Sequence, residues 1–210
     1  LKENDPMRIE TKHLRAFALV AALAAVLTLA SPVLAGGTVG DTAPGFTLTD
    51  LEGNSHSLAD FAGKTVVLEW INPNCPFTDR HAKESTMTDL ADKHGEVVWL
   101  GINSTAEGHS DFLEPAEHAA WAEDRGVDYA ILYDETGETG KAYGAKTTPH
   151  MYIIDADGTI VYNGAIDDDP AGRQDQAQRA NYVDSGLVAM AGGGDVDPAS
   201  TKPYGCSVKY

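Results

Sequence analysis

The stretch Lys64–Phe77, KTVVLEWINPNCPF, decides how the chain is read. From Lys64 to Ile71 it is β-branched and nearly all apolar, the mark of a strand buried on both faces of a parallel sheet. Asn72-Pro73-Asn74 then breaks it, and from Cys75-Pro76 the pattern turns helical, running to about Lys93 with His94-Gly95 as the stop. A cysteine therefore falls where a buried strand hands over to a helix. Unpaired N–H groups and the helix dipole favour an anion at such a point. A thiol of ordinary pKa, about 8.5, is only about 3% thiolate at pH 7. A helix N-terminus raises that fraction, and the thiolate is the reactive form. Pro76 suits the first turn, where its missing N–H costs nothing. The alternative for Cys75 is an inert, buried thiol acting as a small hydrophobe.

Outward from this point the elements alternate. Phe46–Thr49 and Ser55–Leu58 form an N-terminal β-hairpin across a turn at Leu51–Asn54. Val97–Ile102 and Tyr129–Tyr133 are buried strands, with a helix at Glu114–Arg125 between them and a short helix at Gly137–Tyr143 after them. His150–Ile154 and Thr159–Tyr162 are strands joined by the turn signal Ala156-Asp157-Gly158. Gln174–Met190 reads as a closing amphipathic helix, and Gly192–Gly194 releases an extended C-terminal tail. This order requires an α/β fold with a central mixed β-sheet flanked by helices.

The whole chain has 210 residues, 42% of them hydrophobic, which excludes general disorder, and its two cysteines are too few for a disulfide scaffold. With 15 Lys and Arg against 32 Asp and Glu, the net charge of −17 repels phosphate backbones, so nucleic acid is not an expected partner. Met7 opens a segment with basic Arg8, Lys12 and Arg15, an apolar run Ala16–Ala30, a Ser31-Pro32 break and a cleavage-like Val33-Leu34-Ala35. That is the pattern of a secretory signal, with an uncleaved anchor as the rival. It divides the chain into a leader (1–35), one domain (36–191) and a tail (192–210) bearing Cys206. It also predicts a periplasmic or secreted protein, with membrane contact only through an uncleaved leader. In that setting disulfides persist.

Several separated motifs carry a family resemblance. They are Gly40–Leu48 (GDTAPGFTL), Val67–Phe77 (VLEWINPNCPF), Tyr143–Asp155 (YGAKTTPHMYIID), Gly164–Asp168 and the terminal YGCSVKY. Together they resemble the redoxin branch of the thioredoxin-fold superfamily, near the alkyl hydroperoxide reductase/thiol-specific antioxidant proteins. The resemblance implies a thioredoxin-like fold and makes Asn72 the place of the first cysteine of a thioredoxin CxxC pair, with Cys75 the second. Asn72-x-x-Cys75 also resembles the TxxC of peroxiredoxins, with Asn for Thr. Pro149, after Thr148, becomes a cis-proline facing the active cysteine. Arg80 and Arg125 are the candidates for the arginine that assists the peroxiredoxin thiolate.

These readings converge on an exported thiol oxidoreductase. Cys75 is the nucleophile and Cys206 its resolving thiol, with Asn72, Pro76, Thr148, Pro149 and His150 shaping the substrate pocket. The substrate is a hydroperoxide or a client-protein disulfide, an external thiol reductant such as a thioredoxin-like protein restores the enzyme, and no cofactor is expected. From Gly192 an extended tail of 14 residues reaches about 46 Å, against a radius of gyration near 15 Å for such a domain. Reach permits a Cys75–Cys206 contact, whether redox-active or purely structural. A metal-binding, copper-chaperone-like or scaffolding module is the alternative, with His81 and His150 as the added ligands. Glu69 is either a proton acceptor near Cys75 or a strand-end carboxylate paired with a lysine. His56, His94, His109 and His118 read as surface residues, and Asp167-Asp168-Asp169 as a solvated loop.

Overall fold

A computed structural model describes residues 37–210. A seven-stranded sheet has the order β2-β1-β5-β4-β3-β7-β8. In chain order the strands are β1 (Thr47–Asp50), β2 (Ser55–Ser57), β3 (Val66–Trp70), β4 (Val98–Asn103), β5 (Ala130–Tyr133), β7 (His150–Ile154) and β8 (Ile160–Gly164). β3 pairs parallel with β4, and β4 with β5, while β1–β5, β3–β7 and β7–β8 are antiparallel. The sheet is therefore mixed, as the element order requires. The helices are α1 (Pro76–Lys83), α2 (Thr86–Lys93), α3 (Pro115–Arg125), α4 (Glu138–Tyr143) and α5 (Tyr182–Ala191). A second, two-stranded sheet joins β6 (Thr147–Thr148) to β9 (Cys206–Ser207).

Alternation along β3 builds both layers of the core. Val66, Leu68 and Trp70 join Leu100, Ile102, Leu132, Tyr143 and Tyr152 on one face. Val67 faces the other way, among Met87 and Leu90 of α2, Val183 and Leu187 of α5, Trp99 and Ile153. Ile71 packs with Ala122 of α3 and Ile131. All five residues of β3 are buried, as a central strand covered on both faces must be. The Trp70 indole N–H donates to Ser104 Oγ at 3.1 Å, and Ser104 donates to Asp134 Oδ2 at 2.6 Å. That carboxylate in turn accepts the N–H of Gly140 at 2.8 Å, tying α4 to the strand ends.

Several expectations need correction. The helix after Cys75 is two helices, because Ser85 adopts a left-handed conformation (φ 53°) between them. Arg179 pairs with the Glu84 carboxylate beside this break, through Nη2 at 3.0 Å among other contacts. The closing helix starts only at Tyr182, where the Asn181 side chain caps it by accepting the Asp184 N–H at 2.9 Å. Before it, Arg179 turns back to Glu84 and to the Gln174 carbonyl, so a helix through 174–181 would lose these bonds. His94 and His118 are buried: His94 meets Asp184 at 2.8 Å and His118 meets the Tyr133 hydroxyl at 3.1 Å. Asp167 and Asp169 are buried as well, because backbone and side-chain donors converge on them. The segment read as a leader lies outside the described residues, and no described helix is long and apolar enough to cross a membrane.

Candidate active site

Cys75 is the N-cap of α1 and only 2% exposed. The loop before it is held by its own side chains. Asn72 accepts the N–H of Asn74 at its Oδ1 (2.7 Å) and that of Cys75 at its carbonyl (3.0 Å), while its Nδ2 donates to Thr105 Oγ1 at 2.8 Å. Asn72 is thus buried and fully engaged in shaping the strand-to-helix turn. Pro76 occupies the first position of α1.

The opposite wall is the β6–β7 turn. The Thr148–Pro149 peptide is cis, and the Thr148 carbonyl accepts the Cys75 thiol at 2.8 Å. On this wall lies β9, with Cys206 in register against Thr148 and Ser207 against Thr147. Both cysteines are free thiols, and they lie near enough for each to shift the other's ionisation. Gly205 makes this approach possible: at φ 138°, a Cβ there would sit 2.1 Å from the Thr148 carbonyl oxygen.

The electrostatics separate the two sulfurs. Burial opposes ionisation of Cys75, but hydrogen bonding from the Thr148 side chain, from the Cys206 thiol and from the backbone N–H groups of Thr78 and Cys206 outweighs it, so its pKa falls below the ordinary thiol value. Cys206 moves the other way, to about 11, because burial and its bond to the Cys75 sulfur both favour the protonated thiol. The pair titrates as a unit whose first thiolate is centred on Cys75. Cys206 is half-buried and is the outer sulfur.

The remaining expected residues are placed as follows. His150 is buried, accepting the Lys146 N–H at Nδ1 (3.2 Å) and meeting Asn163 Oδ1 at Nε2 (2.7 Å). Burial lowers its pKa to about 4, so the neutral ring braces the β6–β7 turn. Arg80 donates to the Asp169 carbonyl (3.0 Å) and the Tyr204 hydroxyl (3.2 Å), and Arg125 to Asp79 (2.9 Å). Both guanidinium groups are thus held by partners other than the sulfur. Glu69 is 4% exposed, and its partner is the Tyr129 hydroxyl at 2.8 Å, not a lysine. Burial pushes its pKa up to about 7. Sequence reasoning missed Tyr204 and Gly205, although YGC stands in the terminal motif. Among the described residues no group of three His, Cys, Asp or Glu side chains is arranged to hold a metal ion.

Residues 39–163 match the family described as AhpC/TSA. The chain belongs to the AhpC/TSA family. This redoxin is 29% identical over 132 residues to a Mycobacterium tuberculosis protein provisionally named a peroxiredoxin, a match covering 63% of this chain and 80% of that one. It is also 29% identical over 124 residues to the thiol-disulfide oxidoreductase ResA of Geobacillus thermodenitrificans, covering 58% of this chain and 66% of ResA. These relatives place the redoxin among thiol-dependent oxidoreductases. In structure it is similar to an uncharacterized conserved protein from Geobacillus kaustophilus, with a TM-score of 0.74 and 31% identity over 82% of this chain and 92% of the other. That coverage exceeds the family-matched stretch, so the likeness extends beyond residue 163 or before residue 39. A hypothetical protein from Sinorhizobium meliloti gives a TM-score of 0.73 and 25% identity, covering 82% and 94% of the two chains.

Proposed function

We propose that this redoxin is an exported enzyme that reduces hydroperoxides through Cys75, with Cys206 as the resolving thiol. The observation that carries this reading is the meeting of two reduced thiols at Thr148, one entering from the head of α1 and the other from the tail. The Cys75 thiolate attacks the outer peroxide oxygen, giving a Cys75 sulfenic acid and, with one proton, an alcohol or water. The Cys206 thiol then displaces water from that sulfenic acid, forming the Cys75–Cys206 disulfide. An external thiol reductant supplies two electrons and two protons to restore both thiols.

The burial of Cys75 under β9 favours a small oxidant. A hydroperoxide needs room for two oxygens at the sulfur, whereas a client-protein disulfide reaches Cys75 only with β9 lifted away. Thiol-disulfide exchange is the second reading, supported by the likeness to ResA. Export rests on the leader pattern of Met7–Ala35 and on the use of two thiols that an oxidising compartment would link.

The test is mass spectrometry of the reduced full chain after one equivalent of hydrogen peroxide, with remaining thiols alkylated. A Cys75–Cys206 link formed at least about 30-fold faster than free cysteine is oxidised supports the peroxidase reading, since full ionisation of a thiol that is otherwise about 3% thiolate raises the reactive fraction by about that factor. A rate equal to that of free cysteine overturns it. Rapid linkage by oxidised client thiols but not by peroxide selects exchange instead.

A further inference from the structure

The tail does more than bring Cys206 within reach. Two residues before it, the half-buried Tyr204 sets its hydroxyl in a polar cluster against α1, the same helix whose N-cap is Cys75. The hydroxyl donates to the Asp167 carboxylate, accepts from Arg80 Nη2 at 3.2 Å, and meets His81 Nε2 at 3.0 Å. Its ring packs on Phe77 with centroids 6.0 Å apart, and the Arg80 guanidinium lies 5.9 Å from the ring centre. A phenol has one proton to donate and lone pairs to accept, so this hydroxyl is fully engaged. The other anchors of the tail lie farther from the sulfur or act through backbone alone. Thr201 Oγ1 accepts the Ala165 N–H at 2.8 Å, and the Val208 N–H donates to the Lys146 carbonyl at 3.1 Å.

We propose that Tyr204 is a positioning residue that seats Cys206 on Cys75 by clasping the tail to helix α1. The proposal rests on the reading that the two cysteines form a redox pair. The clasp and the nucleophile share one rigid element, with a single glycine between the clasp and the second sulfur. Fixing that short segment raises the effective concentration of one thiol at the other, as any rigid tether of matching length does. Asp167 supports this geometry as the acceptor that orients the phenol, and both of its oxygens are withdrawn from solvent.

The experiment equilibrates the full chain with oxidised and reduced glutathione. Oxidised glutathione takes two electrons from the pair and leaves as two reduced molecules, so the quantity read is an effective molarity. The alkylation rate of Cys75 by iodoacetamide is measured in parallel. Tyr204→Phe keeps the ring and removes only the hydroxyl. It is expected to lower the effective molarity at least about tenfold, the scale of one hydrogen bond to a charged group, and to accelerate Cys75 alkylation. An effective molarity within twofold of wild type overturns the proposal, even if thermal stability falls. Should Tyr204→Phe fail to fold, Asp167→Asn decides by the same criterion, with a loss of about threefold expected because the amide accepts more weakly than the carboxylate. Should wild type form no Cys75–Cys206 disulfide at any glutathione ratio, the redox-pair reading fails by itself. The clasp is then judged on alkylation alone: faster in Tyr204→Phe upholds it, and unchanged overturns it.

Discussion

Cys75 and Cys206 carry the same side chain into two different kinds of backbone. Cys75 stands between β3, a strand buried along its whole length, and α1, and its loop is fixed by the three hydrogen bonds of Asn72. Cys206 stands in a two-residue strand, held to the fold by Tyr204 on one side and backbone bonds on the other. One sulfur is set by the core, and the other is delivered to it. The difference teaches how a single domain separates the two tasks. The core-borne sulfur gains donors that stabilise its thiolate, and the strap-borne sulfur stays protonated, as the proposed resolving role requires. A low-pKa thiol is also the better leaving group, so in the proposed cycle an incoming reductant thiolate attacks the disulfide best at Cys206 and expels Cys75.

Breaking the two sides separately gives the largest expected effect. Cys75→Ser should lower peroxide consumption by at least about 100-fold, because no other described thiolate is stabilised. Cys206→Ser should retain one stoichiometric oxidation of Cys75 but stop at the sulfenic acid, which a sulfenic-acid-trapping reagent detects by mass. Equal losses at both steps in both variants would erase the distinction.

Next in size is Gly205→Ala, which places a methyl group 2.1 Å from the Thr148 carbonyl. Backbone surrounds that point, so the strap must unseat, and Cys75 alkylation should rise at least about tenfold as local opening becomes populated. The core should stay folded, with far-ultraviolet circular dichroism unchanged.

Glu69 sharpens the comparison from the core side. Its carboxyl is pushed up to about 7 in the folded chain, from an ordinary 4.5, because burial disfavours the charge. The folded state therefore holds a proton that the unfolded state releases, and stability falls as pH rises from 4.5 to 7 and stays lower above that. The loss is about 3 kcal/mol. Glu69→Gln keeps an acceptor for Tyr129 and should flatten this slope in urea denaturation at pH 5 and pH 8; an unchanged slope would remove Glu69 as its source.

The smallest effect belongs to the exposed end of α1. Lys83 reaches Asp79 at 2.6 Å, but its side chain is 58% exposed and Asp79 keeps Arg125. Lys83→Ala should change stability by no more than about 0.5 kcal/mol, read from the denaturation midpoint, and leave the alkylation rate of Cys75 unaltered.

What the amino-acid order determined by itself was local. The nearly all-apolar run Lys64–Ile71, the break at Asn72–Asn74 and the helix-entry Pro76 specify a buried strand ending at a cysteine, because side-chain periodicity and backbone restriction act between near neighbours. The hairpin, the central strands and the mixed character of the sheet follow from the same kind of signal. Tertiary structure decided what depends on groups far apart in the chain. Asp167 and Asp169 look like a solvated loop until Tyr204 and the backbone at 173 and 174 converge on them. His118 looks like a surface residue until α3 turns it toward Tyr133. The helix read through 174–181 gives way to Arg179, whose partner Glu84 lies 95 residues away. The cysteines are 131 positions apart, and spacing says only that the tail is long enough to bring them together. Pairing of Cys206 with Thr148 is a register, and register is set by packing and by the one glycine that lets two backbones touch.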